Sequence, residues 1–219
     1  KRPIKVNEVS KVQDVFILHT EEGSYWSRTV ISATGTWQKP FIPAIPGREL
    51  FEGTQIHSSI YQNPDFLKGK KVLIVGEGNS GAQILAEISK VAETSWATAK
   101  TPQFLDEVDG RVLFNVASAK YFAEKNGEIF DNSKYNLGNI VMVPTVKEAR
   151  QRDVLHSAGK FTEIYEDGVI WEDGEKENFD AIIWCTGFGY NTKHLEPIAE
   201  IDFRGKIKTK ETKVENIQG

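Results

Sequence analysis

The hexapeptide Gly76-Glu77-Gly78-Asn79-Ser80-Gly81 constrains this chain more than any other stretch. It fits G-x-G-x-x-G, a weak signal by spacing alone, but its flanks give it a mechanism. Upstream, Val72-Leu73-Ile74-Val75 contains no polar residue, as expected of a parallel strand buried on both faces. Downstream, Ile84, Leu85, Ile88 and Val91 fall on one face of a helix expected over 80–92. In such a strand–turn–helix, Gly76 permits the tight turn, Gly78 lets the backbone approach a pyrophosphate, and Gly81 lets the helix pack against the strand. The helix N-terminus adds N–H groups and a positive dipole end. Gly76, Gly78, Asn79, Ser80 and Gly81 are therefore the candidate pyrophosphate-binding residues.

A second strand, expected over 94–99, selects the dinucleotide. An NAD site carries Asp or Glu about 20 residues beyond the turn, where it accepts from the ribose 2′-hydroxyl. Here Trp96-Ala97-Thr98-Ala99-Lys100 holds no acid and ends in a cation. Lys100 is the candidate partner of a 2′-phosphate, which points to NADP.

Other features narrow the function by exclusion. The 219 residues allow one large domain or two small ones, and a chain that starts at Lys1 is expected to be trimmed, processed or cut from something longer. The single cysteine, Cys185, leaves no intrachain disulfide and no dithiol in this stretch. A net charge of −4 gives no electrostatic footprint for nucleic acid. No apolar run approaches the roughly 20 residues that span a bilayer, so no transmembrane segment is expected and a cytoplasmic location is the default. His19, His57, His156 and His194 are scattered without ligand spacing, which argues against a metal site. Ser58 and Ser59 lack a nucleophile-elbow context. Tyr121 and Lys125 have Tyr-x-x-x-Lys spacing, but the glycine pattern is not that of short-chain dehydrogenases, so they read as helix surface. Arg150 and Arg152 are expected to be solvated charges within weak reach of a phosphate.

Around this centre the chain reads as a β-hairpin over 12–32 turning at Glu21-Glu22-Gly23, then a stiff connector over 36–47 with three prolines. A helix expected over 121–125 and a loop over 132–139 follow. A short helix over 146–152, a hairpin over 161–171 and a buried strand over 179–185 complete the pattern.

Phe51, Gly53, His57 and Tyr61 match F-x-G-x-x-x-H-x-x-x-Y just before the glycine turn. With that fingerprint the chain resembles the flavin-containing monooxygenases and, with a different ending, the Baeyer–Villiger monooxygenases. Ala33-Thr34-Gly35 with Pro40, Pro43 and Pro46 is similar to the family's first interdomain crossing, and Cys185-Thr186-Gly187-Phe188 to its second. The run over 104–114 is similar to bacterial flavoproteins associated with metal-cation efflux. The resemblance implies an α/β fold in which a Rossmann-like NADPH-binding domain, a parallel sheet with flanking helices and a β-hairpin, is inserted into a partly present FAD-binding domain. Residues 1–46 and 190–219 would be pieces of the FAD domain, and 47–189 the NADPH domain. The FAD phosphate loop would lie outside this chain. Implied cofactors are FAD and NADP, with Thr34, Gly35, Thr186 and Gly187 among the cofactor-binding residues. His57 would sit in the segment joining the domains, with a catalytic role and a purely structural one equally open. The implied chemistry is hydride transfer from NADPH to FAD, then capture of O2 as a C4a-hydroperoxide that oxygenates a small-molecule substrate through nitrogen, sulfur or a carbonyl. Two other readings stay open: a flavoprotein disulfide reductase, and a module that senses NADP(H) without chemistry.

Overall fold

A computed structural model describes residues 3–105, 118–119, 121–123, 125–128, 139–210, 213–214 and 217. It divides into two compact units, one formed by Lys1–Phe41 with Gly187–Gly219 and the other by Ile42–Thr186.

The first unit opens with an antiparallel meander of β1 (Val6–Val12), β2 (Val15–Thr20) and β3 (Gly23–Ser27). The sequence suggests only the later two strands, as a hairpin. In β1 only Val9 is fully buried, against Leu195 and Ile198, so the strand carries little periodic signal. Gly23, with φ of +117°, makes the expected turn. The chain leaves this unit at Phe41, whose N–H donates to Gly187 O at 3.0 Å, and Pro40 bridges Phe188 there.

The second unit is built on a parallel sheet of β4 (Thr54–His57), β5 (Lys71–Val75), β6 (Glu93–Ala97) and, late in the chain, a strand at Ala181–Trp184. Between β5 and β6 runs α1 (Asn79–Ile88). Phe104–Leu105 and Ile140–Val141 form a short parallel pair, β7 and β8, and α2 spans Pro144–Gln151. Phe161–Tyr165, Gly168–Trp171 and Lys176–Asn178 are β9, β10 and β11, an antiparallel sheet, and Ala181–Trp184 is β12. The parallel sheet has the order β4-β12-β5-β6.

The apolarity of β12 and of β5 after Lys71 follows from burial on both faces. Val72, Ile74, Ala181 and Ile183 pack with α1 and α2 on one side. Leu73, Val75, Ile182 and Trp184 pack with Ile164, Val169 and Trp171 of the antiparallel sheet on the other. Helix α1 is shorter than the sequence suggests. Lys90 N–H bonds Glu87 O and Val91 N–H bonds Ile88 O, so the chain tightens into turns after Ile88. The Arg152 guanidinium then donates to Ala86 O at 2.9 Å and to Ser89 Oγ at 3.1 Å, tying α1 to the end of α2. Arg150 lies over the Phe104 ring. Both arginines thus make structural contacts within the unit. Residues 121–123 and 125–126 are helical, while the sequence readings at 106–114 and 132–138 lie outside the described residues.

Candidate dinucleotide site

Strand register aligns His57 with Trp184, Trp184 with Val75, and Val75 with Ala97. These four residues are the carboxyl ends of β4, β12, β5 and β6, so one edge of the sheet carries all four carboxyl termini. From β5 the chain moves through α1 to β6 on one side and returns later to β12 on the other. The reversal makes the edge between β5 and β12 a topological switch point, where open α/β sheets hold ligands.

The glycine turn sits at that switch. Gly76 has φ of +125°, and a Cβ there would strike Cys185 O at the end of β12. Only glycine satisfies both the left-handed backbone and the close strand. Gly81 is tied to the turn by packing: a Cβ on it would run into Gly76 O and meet Trp96 Nε1 at 3.3 Å. Trp96 is 1% exposed and its Nε1–H donates to Gly76 O at 2.8 Å, so β6 latches the turn from beneath. Gly78 behaves differently. Its backbone is extended, φ −94° and ψ −173°, and a Cβ there would meet nothing within 4 Å. The space over Gly78 is open, and no side chain caps the N-terminus of α1. The first N–H groups of that helix face the place where an anion is favoured.

Asn79 Oδ1 accepts from Val141 N–H at 2.8 Å, which fixes β8 to the start of α1. Its side-chain oxygen is thus engaged in the fold, and its backbone N–H remains in the first helical turn with those of Ser80 and Gly81. Lys100 lies exposed just beyond β6.

Sequence reasoning missed Glu77. Its Oε2 accepts from Ala99 N–H at 2.8 Å and from Lys100 N–H at 3.3 Å. A carboxylate therefore reaches the end of β6 from inside the glycine turn. No forward count along the strand could have found it, because the contact joins the turn to the end of β6.

The fingerprint residues build the sheet edge. Phe51 is buried, and a Cβ at Gly53 would strike its ring at 2.6 Å and Asp180 O at 2.7 Å. Tyr61 donates to Glu87 Oε2 at 3.1 Å on α1, and burial together with that carboxylate pushes its phenol pKa up. The sequence puts His57 in a joining segment; the structure makes it the last residue of β4, 5% exposed. Backbone pairing with β12, more than a hundred residues away, creates this strand. Ser59 N–H donates to His57 Nδ1 at 3.1 Å, which leaves the proton of a neutral ring on Nε2. Cys185 is buried, and desolvation pushes its thiol up to about 12.

The structure brings Gly76, Gly78, Asn79, Ser80, Gly81 and Lys100 around one turn, with His57 at the same sheet edge. Thr186 closes the second unit, whereas Thr34, Gly35 and Gly187 belong to the first. Gly35 and Gly187 have φ of +64° and +78°. Among the described residues no group of three His, Cys, Asp or Glu could hold a metal ion, and no helix is long and apolar enough to cross a membrane.

A family model described as pyridine nucleotide-disulphide oxidoreductase matches residues 1–218. An uncharacterized CzcO-like oxidoreductase of Geobacillus kaustophilus is 28% identical, with 93% of this chain and 60% of the relative covered. Human flavin-containing monooxygenase 5 is 27% identical, with 78% of this chain and 38% of the relative covered. Among solved structures, a flavin-containing monooxygenase from Stenotrophomonas maltophilia superposes with a TM-score of 0.80 at 39% identity, covering 96% of this chain and 58% of that one. Cyclohexanone monooxygenase shares the fold, with a TM-score of 0.60 at 16% identity, covering 93% of this chain and 57% of that one. The chain thus spans 60% or less of the length of these relatives.

Proposed function

The chain belongs to the pyridine nucleotide-disulphide oxidoreductase family, and from that premise we propose that its Rossmann-like part is the NADPH-binding domain of an FAD-dependent monooxygenase-like oxidoreductase. The observation that carries this reading is the open Gly78 backbone at the head of α1, set at the switch point of a parallel sheet. The pieces before and after this domain, 1–46 and 190–219, are assigned to the FAD domain, with Thr34, Gly35, Thr186 and Gly187 at the crossings. The similarity to monooxygenases supports both assignments.

In this role Gly76 and Gly81 shape the turn, Gly78 admits the pyrophosphate, and the first N–H groups of α1 hold its oxygens. Lys100 faces the 2′-phosphate. His57, the last residue of β4, either touches the bound cofactor or holds the sheet edge rigid. The open carboxyl edge fits a dinucleotide, whereas a side chain at Gly78 would fill it. Gly76, Gly78 and the head of α1 would hold NADPH, which would supply hydride, and FAD would supply the oxygen-activating chemistry for a soft nitrogen or sulfur nucleophile or a carbonyl. The one thiol among these 219 residues is buried and pushed up to about 12, so this stretch supplies no dithiol for disulfide reduction.

Titration of the 219-residue chain with NADPH, followed by calorimetry, tests the proposal. Saturable one-to-one binding is expected. No binding by a chain that melts cooperatively would overturn it.

A further inference from the structure

We propose that Glu77 is a specificity-determining residue of the dinucleotide site: its carboxylate reads the adenosine ribose 2′-hydroxyl and opposes the 2′-phosphate that Lys100 attracts. The inference rests on the dinucleotide reading above. In sites selective for NAD the ribose acid comes from the second strand. Here that strand ends in Ala97, and Thr98-Ala99-Lys100 carries no carboxylate. The position is filled by Glu77, whose Oε2 lies on Ala99 N–H and Lys100 N–H.

Two consequences follow from this geometry. A carboxylate at the strand end places negative charge where the 2′-phosphate of NADP would add two more. It also takes up the two backbone N–H groups that a phosphate at this position would otherwise use. Each effect weakens NADPH and leaves a 2′-hydroxyl acceptable, because Oε1 is not used by these two bonds and a carboxylate oxygen accepts from a hydroxyl. Bracing the turn against β6 needs an acceptor and no charge. A glutamine would meet that need, so the charge has its own consequence.

The test exploits that difference. Glu77→Gln keeps an oxygen for Ala99 N–H and removes the charge. Calorimetric dissociation constants for NADPH and NADH are compared between wild type and variant. NADPH is expected to tighten by about tenfold and NADH to weaken by about threefold. Glu77→Ala, which removes brace and charge together, is measured alongside, and the ratio is read in whichever variant melts as one transition. Equal factors for the two dinucleotides would overturn the role of Glu77 and leave the site standing. A folded wild-type chain that binds neither overturns the dinucleotide reading, and this inference falls with it.

Discussion

Gly78→Ala separates folding from binding in a single variant. The native backbone at Gly78 is extended, with φ −94° and ψ −173°, which alanine adopts without strain. A Cβ there would meet nothing within 4 Å. The substitution therefore costs no native contact and removes conformational freedom from the unfolded chain, which stabilises by about 0.4–1 kcal/mol. For a domain of this size that is a rise in Tm of about 1–4 °C. Binding responds in the opposite direction. The methyl group stands where the pyrophosphate approaches the backbone, and loss of one hydrogen bond to a charged group costs about 1.5–3 kcal/mol. The dissociation constant for NADPH should rise by about 10- to 100-fold. Differential scanning calorimetry and titration calorimetry on the same preparation read both quantities. An unchanged dissociation constant would refute the approach of phosphate over Gly78. A clear fall in Tm would refute the open space drawn around it.

Gly81→Ala should do the reverse of Gly78→Ala at the level of folding. Its Cβ would collide with Gly76 O, and such overpacking costs about 2–3 kcal/mol. A scanning melt should show Tm lower by about 5–10 °C. Trp96→Phe removes the Nε1–H that bonds Gly76 O. It should cost about 1–3 kcal/mol in a urea titration and also weaken NADPH, because the turn loses its latch. Lys100→Ala should weaken NADPH far more than NADH in calorimetric titrations, and equal losses would remove Lys100 from the site. Cys185 gives a pH signature. Its folded pKa is raised to about 12 from a reference of 9.0, so below pH 9 both states hold the proton and the group adds no pH dependence. Between those values the unfolded chain loses the proton while the folded one keeps it, and stability should fall as pH rises. Urea midpoints across that window should decline less in Cys185→Ala.

The sequence shows those parts whose cause is local. The apolar run of β5 and the glycine spacing after it define the strand–turn–helix, and the hairpin of β9 and β10 announces itself by Glu166-Asp167-Gly168. Proline density over 36–47 marks the stretch in which the two units divide, at Phe41. What stays hidden is what only the fold assembles. Strand β4 exists because β12 pairs with it from far along the chain, so His57 cannot be read as a strand end. Glu77 and Asn79 look equivalent within the glycine motif. Yet one braces β6 and the other holds β8, and no periodicity distinguishes them. Arg152, more than sixty residues further along the chain, ties the end of α1 to α2, and no local pattern announces that contact.

The crossing at Phe41 and Gly187 makes the two units unequal in what each needs from the other. Ile42–Thr186 is one continuous run of chain, and among the described residues its strand pairings close within it. The other unit is two separate pieces, joined at the crossing by the bond from Phe41 N–H to Gly187 O. While the continuous run is folded, those pieces are held together by a preformed connection. When it unfolds, the connection becomes a long flexible loop whose closure entropy must be met from the smaller unit's own contacts. Damage to the sheet around β5 and β12 therefore reaches the split unit through chain entropy alone. Damage confined to the meander of β1, β2 and β3 has no such route back.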